Sequence, residues 1–282
     1  MRRATPRIAA LALALLALAA FGAPLLAPYD PRVQFALDAF VWQPPSAAHP
    51  LGTDSAARDV LSRLLYGARA TLGIAALAML VSITLGTLVG ASAAVARGAV
   101  DGLLMRLTDT FLAIPRLLLL LLVVATVGHP GDAVFAIILG ATGWMTTSRL
   151  VRQETLRLLA TDHVRGARAL GVPWARLVRR HMLPALMPTL SVAATFAFAA
   201  AVPLEAGLSF IGLGVETPAP SWGNILTEAQ SRPLQHWWLI LFPTLAIVVT
   251  VVAANAVAEA IGREAREARD EAAAPSDDGT RT

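Results

Sequence analysis

The sequence of 282 residues contains no cysteine, and all 23 of its basic residues are arginine, so lysine is absent as well. Without cysteine, the chain can build neither a disulfide scaffold nor a thiolate site for zinc or an iron–sulfur cluster. Without lysine, it has neither a Schiff-base amine nor the lysine of a phosphate-binding loop. We therefore predict that this chain is not an enzyme and does not itself hydrolyse a nucleotide.

Charged residues are scarce too. They make up 15% of the chain, against about 25% in ordinary soluble domains, whereas apolar residues make up 56% and the mean hydropathy is +0.62. A soluble protein of this length could not bury so much apolar surface, because the buried fraction rises only slowly with size. The composition therefore predicts an all-α, polytopic membrane protein with no role in nucleic-acid binding.

Long apolar stretches predict six transmembrane helices, because a helix needs about 20 apolar residues to cross a bilayer. Four stretches contain no Asp, Glu or Arg, and they cover residues 8–29, 70–96, 182–204 and 233–258. Two others are shorter or contain charged residues, and they cover residues 107–128 and 133–148. An even number of spans places both termini on the same side of the membrane.

The arginines indicate which side that is. If the N-terminus is cytoplasmic, 17 arginines fall in cytoplasmic segments and five in external ones, which is the bias described by the positive-inside rule. We therefore expect both termini in the cytoplasm. The first apolar stretch also has the form of a secretory signal, but its 22 residues without a charge favour a retained anchor.

This topology divides the chain into four parts. Residues 1–29 are expected to form an anchor helix, and residues 30–69 an external loop ending in an interfacial helix capped at Asp54 and Ser55. Residues 70–262 are expected to form the transmembrane core. Residues 263–282 are expected to form a cytoplasmic tail, with a short helix followed by disorder.

The least lipid-like part of the core is the segment 149–184, between the fourth and fifth spans. Up to residue 180 it holds eight arginines against two acidic residues. Gly171 and Pro173 predict a bend between two short helices, because glycine commonly ends one helix and proline opens the next. Charge alone leaves two interpretations equally open: a loop that binds anionic lipid, or a rigid protrusion that docks to a partner protein.

The spacing within this segment resembles the signature of ABC importer permeases, which is Glu-Ala-Ala, three residues, Gly, nine residues and Ile-x-Leu-Pro. In this chain RGARALG (165–171) is followed by nine residues and then HMLP (181–184). The resemblance implies that the segment is the coupling helix that sits in a groove of a cytoplasmic ATPase subunit. It assigns ATPase coupling to Arg165, Gly166, Ala167, Arg168, Ala169, Leu170, Gly171, Leu183 and Pro184.

Other stretches are similar to one branch of that superfamily, the second permease of dipeptide, oligopeptide and nickel importers. The likeness extends from about residue 49 to residue 262. Several separate segments that agree in order identify a family more firmly than one motif does. These segments are HPLGTD (49–54), RDVLSRLLYGAR (58–69), LEAGLSFIGLG (204–214), TPAPSWG (217–223) and WWLILFPTLAI (237–247).

The resemblance implies the type I ABC importer permease fold and a location in the bacterial inner membrane. It also implies a second permease as heterodimer partner, two cytoplasmic ATPase subunits that hold ATP and Mg²⁺, and an extracytoplasmic substrate-binding protein. This chain itself is expected to hold no cofactor and no metal. The expected solute is a di- or oligopeptide that crosses by alternating access, with nickel or another small solute as the alternative.

The rival class is a stand-alone secondary transporter. Such a protein would be expected to carry ion-coupling charges or an internal repeat within the membrane.

Two features are left open by this interpretation. Arg165 stands where the signature has glutamate, and we hypothesise that it meets an acidic residue of the ATPase. Glu205, with Ser209, is a candidate for the substrate path, because ionisable residues at membrane depth are functional candidates. Glu205 equally fits a role in capping a helix or in pairing with an arginine of the second permease.

Overall fold

The computed structural model describes residues 4–35, 41–128 and 131–273. Within these residues the regular secondary structure is helical, with one isolated bridge between Thr53 and Asp59, and loops connect the helices. A π-helical turn at Val178–Met182 leads into the long helix α10. The α-helices are α1 (Ala4–Phe21), α2 (Ala23–Leu26), α3 (Val60–Ala96), α4 (Gly98–Ala113), α5 (Arg116–Val127), α6 (Asp132–Ala141), α7 (Trp144–Leu159), α8 (Asp162–Ala169), α9 (Trp174–Leu177), α10 (Leu183–Phe210), α11 (Trp222–Glu228) and α12 (Trp237–Ala273).

Helix α3 lies at the centre of the bundle and contacts α1, α6, α7, α10 and α11. Its 37 residues give it a length of about 55 Å, which exceeds the thickness of a bilayer. The faces buried against its neighbours carry small residues, among them Gly67, Ala75, Ala78, Gly86 and Gly90. Small residues let helix backbones approach closely, which favours association in a membrane, where no hydrophobic force drives helices together.

Three glycines show how close this approach is. A Cβ at Gly90 would lie 2.2 Å from the carbonyl oxygen of Ser148 on α7, and a Cβ at Gly86 would lie 2.5 Å from a threonine side chain of α7. A Cβ at Gly140 on α6 would lie 2.5 Å from the carbonyl oxygen of Ala78. These distances leave no room for a side chain, so α6 and α7 rest directly on the α3 backbone.

The main hydrophobic core lies where α3, α6 and α10 meet, and α11 adds to it from one end of the bundle. Phe135, Leu139, Val202, Leu208 and Trp222 are buried there. The outward faces of the bundle are apolar too, and many of their large side chains are more than half exposed. Examples are Leu18 on α1, Leu80 on α3, Leu122 on α5 and Val252 on α12. Such an outer surface suits a protein surrounded by lipid.

Three helical segments are long and apolar enough to cross a membrane: α3, Val178–Phe210 and Trp237–Glu267. The number rises to five if α4–α5 and α6–α7 each form one bent span. The apolar part of α1, Pro6–Phe21, is shorter than these. The exact count of six spans is therefore not confirmed and stays a prediction, as does the retention of the first helix.

The third and fourth predicted spans are not straight helices. α4 and α5 are bent by 88° with respect to each other, because Ile114, which precedes Pro115, is extended with ψ of 126° and a residue before proline disfavours the helical conformation. α6 and α7 are bent by 48° at Thr142 and Gly143. α7 also continues to Leu159, so the first part of the segment 149–184 extends the preceding helix.

The start of the predicted core needs correction. Asp59, and not Asp54 or Ser55, caps α3: its carboxylate accepts a hydrogen bond from the N–H of Ser62 at 2.8 Å. Residues 60–69 are thus the first turns of α3 and not a separate interfacial helix. α12 continues to Ala273 through the predicted tail, because alanine, glutamate and arginine favour helix. Residues 274–282, for which we predicted disorder, lie outside the described part of the chain.

We expect Gly90→Ala to destabilise the protein, because the new methyl group would overlap the α7 backbone and overpacking costs about 1–3 kcal/mol. Gly102→Ala is the matched control, since a Cβ there meets nothing within 4 Å and alanine favours helix over glycine. Thermal unfolding of the detergent-solubilised protein should give a lower midpoint for Gly90→Ala only. Equal midpoints for the two variants would contradict the close contact between α3 and α7.

Candidate functional site

The chain between α7 and α10 forms a small protrusion with a core of its own. The end of α7, α8, α9 and the π-helical turn together bury Leu159, Val164, Leu177 and Met182. Val172, in the connection between α8 and α9, packs against the same cluster. The protrusion is therefore a folded unit with a defined shape, as docking to a partner protein requires.

The bend predicted at Gly171 and Pro173 is present. Gly171 has a φ of +72°, in the left-handed region that glycine adopts without strain. The N–H of Val172 donates to the carbonyl oxygen of Ala167 at 3.1 Å, which is the Schellman arrangement that ends helices. Pro173 then opens α9, and its carbonyl oxygen accepts a hydrogen bond from the N–H of Leu177 at 3.0 Å.

One side of the protrusion faces outward, and we call it the coupling surface. It consists of Arg165, Gly166, Ala169 and Leu170, all of which are exposed. Leu170 is 87% exposed, so the surface combines an apolar side chain with a nearby cation and two small residues. This combination suits insertion into a groove that has an acidic rim.

The other residues assigned to coupling by the sequence are distributed differently. Ala167 packs against the core of the protrusion, and the side chain of Arg168 lies outside the described part. Leu183 and Pro184 are exposed at the start of α10, beyond the π-helical turn. The structure therefore brings the residues 165–171 together on α8 and the bend after it, and places Leu183 and Pro184 at the base of the protrusion.

Ion pairs connect the helix that carries the protrusion to α4. The guanidinium of Arg152 donates from Nε and Nη2 to the two carboxylate oxygens of Asp101, both at 2.6 Å. Arg149, one helical turn before Arg152 on α7, pairs with Asp109 on α4. α8 follows α7 after only two residues, so a displacement of the coupling surface acts on α7 and, through these pairs, on α4.

Glu205 and Ser209, the predicted candidates for the substrate path, are buried in the interior of the helix bundle. Glu205 is fully buried and Ser209 is 2% exposed. The hydroxyl of Ser209 donates to Oε1 of Glu205 at 2.8 Å and accepts from the N–H of Val215 at 3.1 Å. In this arrangement the two side chains hold the turn that follows α10.

At the opposite end of the bundle lies a group of charges that the sequence analysis did not identify. We call it the outer ion cluster, and it consists of Asp54, Arg58, Arg63 and Glu228. Arg58 donates from Nε to Asp54 at 2.7 Å and from Nη2 to Glu228 at 2.9 Å. Arg63 is fully buried and pairs with both carboxylates. Because two cations meet two anions, the buried charges balance.

The outer ion cluster joins three separate pieces of chain. Asp54 and Arg58 come from the segment before α3, which we predicted to be an external loop, Arg63 from the first turn of α3, and Glu228 from the end of α11. Ser55 adds a hydrogen bond from its hydroxyl to Glu228 at 2.9 Å. The external loop and α11 are therefore fixed to the start of α3.

Aromatic contacts attach the same loop to α12. The ring of His236 stacks on Trp42 with a centroid distance of 4.7 Å, and the indole N–H of Trp238 donates to the carbonyl oxygen of Thr53 at 3.1 Å. Burial, with a smaller contribution from Arg232, lowers the pKa of His236. The ring is therefore neutral near pH 7.

One signal in the sequence could have found the outer ion cluster. Arg63 and Arg69 are the charged residues of the otherwise apolar segment 60–96, and an arginine at such a position needs an acidic partner. The partner Glu228 is 165 residues away in sequence, and no local pattern connects the two positions.

The family model described as "Binding-protein-dependent transport system inner membrane component" matches residues 61–267 of this chain. A putative peptide transport system permease protein of Brucella suis is 36% identical over 93% of this chain and 87% of its own length. The di/tripeptide transport system permease protein of Pseudomonas aeruginosa is 37% identical over 88% of this chain and 82% of its own length. The dipeptide transport system permease protein of Bacillus subtilis is 33% identical over 77% of this chain and 68% of its own length.

Among solved structures, an inward-facing conformation of the methionine ABC transporter MetNI contains a chain with the same fold. The TM-score is 0.56 at 20% sequence identity, and the match covers 72% of this chain and 97% of the other. The helix arrangement described above is therefore the fold of an ABC importer permease.

We expect Arg63→Met to destabilise the protein by about 3–5 kcal/mol, because it leaves buried carboxylates without a cation. Arg149→Met is the matched control: its pair with Asp109 is about half exposed on both sides, and such pairs contribute about 0–1 kcal/mol. The midpoints of thermal unfolding in detergent should separate the two variants. If the unfolding midpoint falls no further for Arg63→Met than for Arg149→Met, the outer ion cluster does not contribute to stability as proposed.

Proposed function

The chain belongs to the family of binding-protein-dependent transport system inner membrane components, and from this premise we propose that it is the second permease subunit of an ATP-driven importer of di- and oligopeptides. The observation that carries the proposal is the folded protrusion with its outward coupling surface. A permease without a nucleotide site of its own needs a rigid contact through which an ATPase subunit can move it, and this protrusion can provide that contact.

Family membership has direct consequences for this chain. It is a multi-pass protein of the inner membrane, and it works with ATPase subunits and with a binding protein. ATP hydrolysis is performed by the separate ATPase subunits, so this chain is a transport subunit and not an enzyme. The rival interpretation as a stand-alone secondary transporter does not apply to a member of this family.

Three relatives support a peptide as the solute. The proteins of Brucella suis, Pseudomonas aeruginosa and Bacillus subtilis are named for the transport of peptides, di/tripeptides and dipeptides, and each is matched over at least 68% of its own length. Nickel or another small solute is the alternative, since the sequence motifs are shared with that branch.

The proposed assembly contains a second, similar permease, two ATPase subunits that hold ATP and Mg²⁺, and a binding protein on the outer side. The coupling surface supports the contact with an ATPase. Leu103 and Leu107 on α4 and Leu118 and Leu122 on α5 are exposed on this single chain. Such an apolar face is covered by lipid or by a second permease.

The arrangement of the helix ends supports a cytoplasmic location for both termini. Arg7, near the start of α1, and Arg263, late in α12, line one cavity. Gly262 and Arg266 on α12 line another together with Leu150 on α7 and Pro188 on α10, near the base of the protrusion. The start of α1, the late part of α12 and the coupling surface therefore lie at the same end of the bundle, which agrees with the bias of the arginines.

The proposed mechanism is alternating access. ATP-driven closure of the ATPase subunits displaces the coupling surface, and the displacement passes through α7 and the Arg152–Asp101 pair to α4. The bundle then changes from an inward-facing to an outward-facing state that accepts solute from the binding protein. Only contacts that differ between the two states can drive such a change.

The direct test of this function is peptide uptake by proteoliposomes that contain the reconstituted complex of this chain, the second permease and the two ATPase subunits. We expect a labelled dipeptide to accumulate only when the binding protein is outside and ATP is inside. Uptake by this chain alone, without ATPase subunits, would overturn the proposal. A complex that accumulates nickel and no peptide would replace the substrate by the alternative.

A charge exchange tests the coupling surface. We expect Arg165→Glu to reduce both the copurification of the ATPase subunits and uptake by about tenfold, because a cation that meets an acidic partner is replaced by a like charge. Arg180→Glu is the matched control, since Arg180 is an exposed arginine of the same protrusion outside the coupling surface and the change in charge is identical. An arginine introduced in the acidic ATPase position should restore the Arg165→Glu complex.

The copurified amount of ATPase and the rate of uptake provide independent readouts of this exchange. If Arg165→Glu assembles and transports as well as the unchanged protein, Arg165 has no acidic partner. If Arg180→Glu has the same effect as Arg165→Glu, general charge and not the coupling surface determines assembly.

A further inference from the structure

A cleft opens at the outer end of the bundle between α3, α6 and the chain that precedes α11. Its volume is about 430 Å³, which falls in the range of pockets that hold small molecules. Along α3 it extends from Tyr66 to Leu77, a distance of about 16 Å at the rise of an α-helix. A fully extended tripeptide spans about 10 Å, so the cleft is long enough for a di- or tripeptide.

Three charged side chains surround this cleft: Arg32 from the external loop, Arg69 from α3 and Asp132 from the first turn of α6. All three are exposed. Within the described ranges, none of the three side chains forms a hydrogen bond or an ion pair. This distinguishes the cleft from the outer ion cluster and from the α4–α7 contact, where arginines and carboxylates are paired with each other.

The walls that carry these charges are fixed in place. Pro220, at one side of the cleft, precedes Ser221, which caps α11 in a reciprocal capping box with Asn224. The N–H of Trp222 donates to the hydroxyl of Thr71 on α3 at 3.2 Å. The opposite wall, α6, rests on α3 through the close contact at Gly140. The helices that carry Arg69 and Asp132 are therefore fixed relative to each other.

We propose that this cleft is a binding site for the free ends of the transported peptide, an inference that rests on the proposed function. Asp132 binds the terminal ammonium group, Arg69 and Arg32 bind the terminal carboxylate, and Tyr66 contacts a side chain of the peptide. A zwitterion with charges at its two ends can pair with a carboxylate and with arginines that are not paired with each other. Binding at both ends makes the permease, as well as the binding protein, selective for short peptides with unblocked termini.

The absence of cysteine from the chain allows a direct test of occupancy. Gly73 lines the cleft, and a Cβ added there meets nothing within 4 Å, so Gly73→Cys introduces the single thiol of this chain without a clash. Gly207→Cys is the matched control, because Gly207 is exposed on α10, outside the cleft, and has equal space. A membrane-impermeant maleimide is applied to the reconstituted complex, and labelling is read on this chain after electrophoresis.

We expect a dipeptide with free ends, in the presence of the binding protein, to slow the labelling of Gly73→Cys at least fivefold. The binding protein alone, or the same dipeptide acetylated and amidated at its ends, should leave the rate unchanged. Labelling of Gly207→Cys should not respond to the peptide. Equal rates for Gly73→Cys with and without the dipeptide would overturn the proposal.

Two charge variants test the assignment of the ends. We expect Asp132→Asn to raise the KM for a free dipeptide about tenfold or more, and Arg69→Gln to do the same, because each removes a charge-assisted hydrogen bond. An N-acetylated peptide should lose its sensitivity to Asp132→Asn but keep its sensitivity to Arg69→Gln.

These outcomes separate the two proposals. If the unchanged complex imports dipeptides and the variants import them with the same KM, the cleft is not a binding site while the function stands. If the unchanged complex imports no peptide at all, the proposed function fails first. If Arg69→Gln raises the KM for a peptide amidated at its C-terminus as much as for the free dipeptide, the assignment of the carboxylate is overturned.

Discussion

The direct contact between the backbones of α3 and α7 is the constraint on which the rest of the structure depends. In lipid, no hydrophobic force drives apolar helices together, so their association relies on close packing. Gly86 and Gly90 on α3 provide that closeness against α7, and Gly140 on α6 provides it against α3. α3 also contributes to the outer ion cluster through Arg63 and to the cleft through Arg69. A central helix with small residues thus sets the positions of both functional ends.

The two ends of the bundle use charge in different ways. At the outer end, Arg63 is fully buried between two carboxylates, where breaking a pair is costly. At the inner end, the Arg149–Asp109 pair is about half exposed, where a pair contributes little and exchanges readily with water. The loop before α3 and α11 are therefore a rigid assembly. At the inner end the less exposed Arg152–Asp101 pair keeps α7 connected to α4, and the Arg149–Asp109 pair adds little to that connection. This difference suits a protein that is moved from the inner end.

The sequence predicted what depends on local chemistry. Composition predicted a helical membrane protein, and the glycine and proline in the protrusion predicted a bend that the structure confirms at Gly171. The family was recognisable because several motifs agree in order. The prediction was wrong where helix continuity decided the outcome: α3 begins at Val60 and incorporates the expected interfacial helix. The first and last residues of a helix depend on capping and packing, and the hydropathy of the sequence contains no information on either.

Long-range contacts were beyond the reach of the sequence. Glu228 and Arg63 meet only because α11 folds back onto α3, with Trp222 inserted beside Thr71. Glu205 attracted attention as an acid near the membrane, but its depth and its bond with Ser209 become visible only in three dimensions. The charges of the cleft come from three segments that are distant in sequence, and each of them alone is an ordinary surface residue.

The bent helix pair α6–α7 connects the two functional ends physically. α7 continues almost directly into α8 and the coupling surface, and α6 begins with Asp132 at the cleft. The bend lies at Thr142 and Gly143, where the guanidinium of Arg116 reaches the carbonyl oxygen of Leu139 at 2.9 Å. Because α6 and α7 both rest on α3, a push on the coupling surface would rotate the pair about that contact. Such a rotation changes the separation between Asp132 on α6 and Arg69 on α3, and with it the fit for a peptide held between them.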